Sequence, residues 1–70
     1  MRIYNVIQND RHEDVTATPF LDLEEARRFA GLRAASSSGG YVSEVTVPGC
    51  LLCLDYSVEG DSIWITEHDV

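Results

Sequence analysis

The chain has 70 residues, room for a single domain spanning 1–70. Apolar residues make up 44% and charged residues 24%, a folding composition that argues against intrinsic disorder. Twelve acidic residues stand against five arginines and no lysine, and the resulting net charge of −7 repels nucleic acid and anionic membranes while favouring basic surfaces.

A domain this small buries only roughly 60% of the surface its unfolded chain exposes. The expected core is one thin layer between a sheet and a helix, and such scaffolds often lean on a staple, a metal or a partner. The charge is uneven: residues 10–25 carry net −5, residues 44–70 net −6, and residues 26–43 net +3. No stretch approaches the roughly 20 apolar residues of a membrane span. The N-terminus lacks the basic region and apolar run of a secretory signal. The expected compartment is the cytoplasm, where cysteines stay reduced.

Residues 2–8 are rich in β-branched and aromatic types and predict a strand. Ile3 and Ile7 fall on one face, Tyr4 and Val6 on the other, as in a central strand. Asn9 to Asp14 form a polar hairpin loop, and Val15 to Phe20 return as a second strand. Pro19 has no N–H for a ladder, so this strand belongs at a sheet edge. Asp22 is a helix N-cap, with Glu25 three residues on as in a capping box. Leu23, Ala26, Ala30 and Ala34 make one stripe at helical spacing, with Phe29 at its margin. The arginines Arg27, Arg28 and Arg33 follow toward the helix C-terminus, where they suit the macrodipole and ion pairs along the helix. Ser36 to Gly40 read as a flexible connection back to the sheet.

Three further strands are expected. Tyr41 to Val47 ends at Pro48-Gly49, which fits the centre of a type II turn. Cys50 to Val58 is the most apolar run. Glu59-Gly60-Asp61 is a turn in which Gly60 takes positive φ, and Ser62 to Glu67 closes the sheet. The order ββαβββ is an α+β fold, one mainly antiparallel sheet packed against a single helix.

Chemistry-bearing motifs are sparse. Cys50-Leu51-Leu52-Cys53 has the spacing of redox and zinc sites, but on one strand residues three apart point to opposite faces. No second cysteine pair completes a zinc site, so two structural cysteines are expected. His12 with Glu13 and Asp14 offers groups for a metal or for acid–base work, although a solvated hairpin tip is the more ordinary role. No nucleophile elbow or phosphate-cradling glycine loop is present. The chain is therefore expected to be no enzyme, with no cofactor, no catalytic residue and no metal site.

Alternation groups Leu51, Cys53 and Asp55 on one side of the fourth strand, and Ser62, Trp64 and Thr66 on one side of the fifth. Glu44 and Thr46 share a side of the third. Trp64 belongs either in the core, its more ordinary place, or on an exposed face where an aromatic anchors an interface.

Two stretches carry a resemblance. Tyr4-Asn5-Val6-Ile7 with Asp10-Arg11-His12-Glu13-Asp14 and Phe20-Leu21-Asp22 is the first; Tyr56 to Ile65, with Glu59-Gly60-Asp61 inside it, is the second. Over about half the chain it resembles small proteins encoded by bacteriophages and prophages. In size, acidity and lack of lysine it is similar to anti-CRISPR inhibitors, several of which resemble DNA in charge. The resemblance implies a protein acting in the cytoplasm of a bacterial host cell.

The expectation that follows is an inhibitory binding protein. Carboxylates would stand in for backbone phosphates against a basic, nucleic-acid-binding surface of a bacterial defence complex. The expected contact residues are Asp10, Glu13, Asp14, Glu24 and Glu25, with Glu44, Asp55, Glu59 and Asp61 as a second set. The alternative is a structural or regulatory protein that pairs with itself or a host enzyme through its sheet. Monomer and homodimer both fit; direct binding to nucleic acid or membrane does not.

Overall fold

A computed structural model describes residues 1–11, 15–38, 42–57 and 60–70. Among these residues five strands and one helix follow in the order ββαβββ: β1 (Arg2–Asn9), β2 (Thr16–Phe20), α1 (Leu23–Ser38), β3 (Ser43–Glu44), β4 (Leu52–Asp55) and β5 (Ser62–Asp69). The strands form one sheet in the spatial order β2-β1-β5-β4-β3, with every pairing antiparallel. The α+β expectation therefore holds, with β1 inside the sheet and Pro19 on its edge strand.

Register decides which side chains share a face. Val6 lies opposite Ile65, which lies opposite Leu52; Gln8 lies opposite Ile63, which lies opposite Leu54. These rows meet α1. The stripe Ala26, Ala30 and Ala34 is fully buried against Val6, Leu52, Leu54, Tyr56, Ile63 and Ile65, with Leu23, Phe20, Phe29 and Tyr4 packed around it. Alanine has no side chain beyond Cβ, so the helix axis comes close to the strands, and the isoleucines of β5 fill the space between. Each such isoleucine contributes about 1.5–3 kcal/mol of burial.

The helix begins where Asp22 predicts. The Asp22 carboxylate accepts the N–H of Glu24 at 3.1 Å, satisfying one of the orphan donors of the first turn. It ends later than composition suggests, because Ser36 to Ser38 are helical rather than a loop. Serine is only a middling helix former, but adding a residue to a helix already nucleated costs little. The arginines consequently lie in mid-helix, with no basic residue in the last turn.

Among the described residues the third and fourth strands are shorter than the runs that predict them, Tyr41 and Val58 lying outside those residues. β3 is two exposed residues at the far edge, where no neighbouring strand or helix rewards extension. Before β4, Val47 and Cys50 close a turn (3.1 Å), with Gly49 at φ 89°, as a type II turn requires. Leu51 then donates its N–H to the carbonyl of Ile65, the residue already in register with Leu52. Two residues oppose one, which is a bulge that breaks strand alternation just ahead of β4. Gly60, at φ 101°, turns the chain toward β5 as expected.

Candidate functional site

Of the nine carboxylates expected to make contacts, Glu13, Asp14 and Glu59 lie outside the described residues, as does His12. The structure regroups the other six. Glu24 and Glu25 are exposed on the first turn of α1, beside the start of β1 and the end of β5. Asp10, Asp55 and Asp61 lie at the opposite end of the sheet, where β1 and β4 finish and β5 begins, with exposed Glu44 on β3 alongside. The helix rises about 1.5 Å per residue, so its two ends stand about 20 Å apart. Asp10 thus leaves the set in which sequence proximity puts it and joins the second one.

Two members of the second group serve the fold. Asp61 is 4% exposed, and its carboxylate accepts the N–H of Arg11 at 2.9 Å. Its burial removes it from the contact surface expected of it. Half-buried Asp10 accepts the hydroxyl proton of Tyr56 at 2.6 Å. That phenol also accepts from Gln8 Nε2 at 3.1 Å, and Gln8 Oε1 accepts from Arg33 Nε and a second guanidinium nitrogen at 3.2 and 2.6 Å. Arg33 lies over the Phe29 ring, 5.6 Å from its centroid. The chain Arg33–Gln8–Tyr56–Asp10 ties the second half of α1 to β1 and to the exit of β4. Burial, then the hydrogen bond to Asp10, push the Tyr56 pKa up to about 12. The phenol stays protonated at neutral pH and is suited to holding position, not to moving protons. Sequence reasoning left this network out, although Gln8 on the same face as Tyr4 and Val6 is its one visible signal: a polar side chain in an apolar row needs partners.

Few of the remaining carboxylates are neutralised within the described residues. Among these there are two ion pairs, Arg2 with Glu67 at 2.8 Å and the N-terminal ammonium with Asp69 at 3.6 Å. Arg27 and Arg28 do not bridge to the helix acids, and Arg33 serves Gln8, which corrects the expectation of ion pairs along α1. Glu24, Glu25 and Glu44 are left exposed, with no salt bridge among the described residues.

The sheet face opposite α1 is of another kind. Register places Ala17, Ile7, Trp64 and Cys53 in one row across β2, β1, β5 and β4. Trp64 is half-buried on this face, away from the core between sheet and helix. Cys53 is buried, and its thiol is pushed up by that burial, then by Asp55 and Cys50, against a hydrogen bond from Trp64. A thiol held protonated is a poor nucleophile. Cys50 is half-buried and precedes β4, so strand alternation does not govern it; both cysteines are free. Among the described residues no three His, Cys, Asp or Glu side chains converge as a metal site, and no helix is long and apolar enough to cross a membrane. No family model, curated protein or solved structure matches this chain.

Proposed function

We propose that this chain is a non-catalytic inhibitory binding protein that occupies a basic, nucleic-acid-binding surface of a protein partner. The observation that carries the reading is the set Glu24, Glu25 and Glu44, exposed and without a salt bridge among the described residues of a chain of net charge −7. Carboxylates that find no cation at home are free to accept bidentate hydrogen bonds from arginines of a partner. Their placement on a helix end and a sheet edge, about 20 Å or more apart, spaces charge as a rigid anion does. The phage-like stretches point to a bacterial defence complex as that partner, in the manner of anti-CRISPR inhibitors.

The test uses a purified CRISPR effector complex and a labelled nucleic-acid ligand. The wild-type chain is expected to compete with the ligand at low salt and to lose competition as salt screens the contact. Glu24→Lys/Glu25→Lys and Glu44→Lys reverse the charge of each region without touching the Asp10 or Asp61 hydrogen bonds. Variants that compete as well as wild type against every effector the parent inhibits would refute the carboxylate reading.

A further inference from the structure

We infer that Cys50 and Cys53 form a two-thiolate site for a soft monovalent cation of the copper(I) class. Strand alternation alone sets the two sulfurs on opposite faces. The bulge ahead of β4 reverses that. Leu52 lies opposite Ile65, and Leu51 donates its N–H to the same Ile65 carbonyl at 2.8 Å, so both leucines fill one place in the ladder. One place further back, Cys50 falls opposite Thr66; without the bulge it falls opposite Glu67, on the helix side. Residues opposite in an antiparallel ladder share a face, and Thr66 shares its face with Trp64 by alternation. Cys53 lies opposite Trp64. Both cysteines therefore stand on the helix-free face.

The spacing selects the chemistry. Trp64 and Thr66 are two residues apart, about 6.6 Å along β5, and the cysteines facing them take the same separation. A disulfide needs Cβ atoms about 3.5–4.5 Å apart, so this pair does not close one without moving the backbone. Two sulfurs turned toward each other from that distance stand about 4–5 Å apart, twice a metal–sulfur bond of about 2.3 Å. That is the span of a linear sulfur–metal–sulfur unit. Among the described residues no third His, Cys, Asp or Glu ligand converges here. Tetrahedral zinc is left two ligands short, whereas copper(I) is satisfied by two thiolates and is selected by soft sulfur.

The surroundings suit a bound cation. Cys53 is 3% exposed, and Trp64 donates a hydrogen bond to its sulfur, an outer contact of the kind that fixes a ligand's direction. Cys50 is half-buried and gives the ion its way in. Half-buried Asp55, on the same face as Cys53, adds negative charge that draws a cation. Cys50 is itself among the groups that push the Cys53 thiol up, as a sulfur close by does. The bound ion replaces both thiol protons, which leave to solvent, and no electron is transferred.

The test is an anaerobic titration of the reduced full chain with copper(I) against a chromophoric copper(I) chelator, and with zinc(II) against a zinc chelator. The expected result is one copper(I) per chain, a change in the fluorescence of Trp64 as the site fills, and far weaker binding of zinc. Cys50→Ser, at a half-buried position outside the core cluster, is expected to weaken copper(I) binding about 100-fold, since two linked ligands bind far more tightly than one. Four results overturn the inference: a wild-type chain that yields all its copper(I) to the chelator, zinc held as tightly as copper(I), one ion shared between two chains in native mass spectrometry, or a folded Cys50→Ser chain that binds as wild type. The first three are read on the wild-type chain and do not depend on the variant folding. Glu24→Lys/Glu25→Lys is expected to bind copper(I) as wild type, which keeps this test separate from that of the carboxylates.

Discussion

Replacing Tyr56 with phenylalanine removes one oxygen from the network behind α1 and changes how stability depends on pH. At neutral pH the hydroxyl donates to the Asp10 carboxylate at 2.6 Å and accepts from Gln8 at 3.1 Å. Its loss leaves the Gln8 amide nitrogen with only a 3.5 Å contact to Ser37. A buried hydrogen bond to a charged group is worth about 1.5–3 kcal/mol, so the variant is expected to be about 2 kcal/mol less stable at pH 7. The alkaline limb moves the other way. The Tyr56 phenol ionises near 10 in an unfolded chain and at about 12 in the folded one. Below pH 10 both states hold the proton and its stabilisation is complete. Between 10 and about 12 only the folded state holds it, so stability falls as pH rises. At about 1.4 kcal/mol per unit, a rise of two units amounts to a loss of about 3 kcal/mol that the Tyr56→Phe variant does not suffer. Urea unfolding followed by Trp64, the one tryptophan, measures both arms. Contributions common to both proteins cancel in the difference. The gap is expected to be wide at pH 7 and nearly closed near pH 11.5. A gap of constant width would refute the assignment of the raised pKa to this network.

Three further changes probe the fold. Ala30→Leu forces a four-carbon side chain between α1 and the sheet at a position with no exposure, and a destabilisation of about 1–3 kcal/mol is expected in urea titration. Gly60→Ala places a Cβ on a backbone at φ 101°, where the surrounding space is open, so the whole cost, about 1–2 kcal/mol, is backbone strain. Asp22→Ala removes the acceptor for the Glu24 N–H and is expected to lower stability by about 1 kcal/mol, with Asn at the same site recovering most of it.

The sequence made the helix legible because several local signals agree there: Asp22 as the cap, the alanine stripe at helical spacing and the paired acids of the first turn. Pro19 likewise marked an edge strand, and Gly49 and Gly60 marked turns, since each rests on backbone chemistry that neighbours cannot override. Errors gathered where a distant partner decides. Ser36 to Ser38 look like a linker by composition and extend the helix, where Ser37 Oγ accepts from Gln8 Nε2 of β1 at 3.5 Å. Residues 41–47 look like a full strand, and of those described, 42–47, only Ser43–Glu44 form one, because an edge strand gains contacts on one side only. The bulge at Leu51 is invisible without the carbonyl of Ile65 opposite it. Face assignment has the same origin: alternation groups Trp64 with Thr66 and Cys53 with Asp55, but only the position of α1 tells which group faces away from it.

The candidate site divides along the same line. Charge is local, so the acid-rich segments were plain from the sequence, yet which acids remain available is a tertiary property. Asp61 and Asp10 read the same as Glu24 and Glu44 in the chain, and differ only because Arg11 and Tyr56 come to meet them. Under the proposed carboxylate contact, binding is expected to weaken as the Debye length shrinks from about 10 Å at 0.1 M toward 3 Å at 1 M, so competition that persists undiminished to 1 M salt would show that Glu24, Glu25 and Glu44 do not carry it.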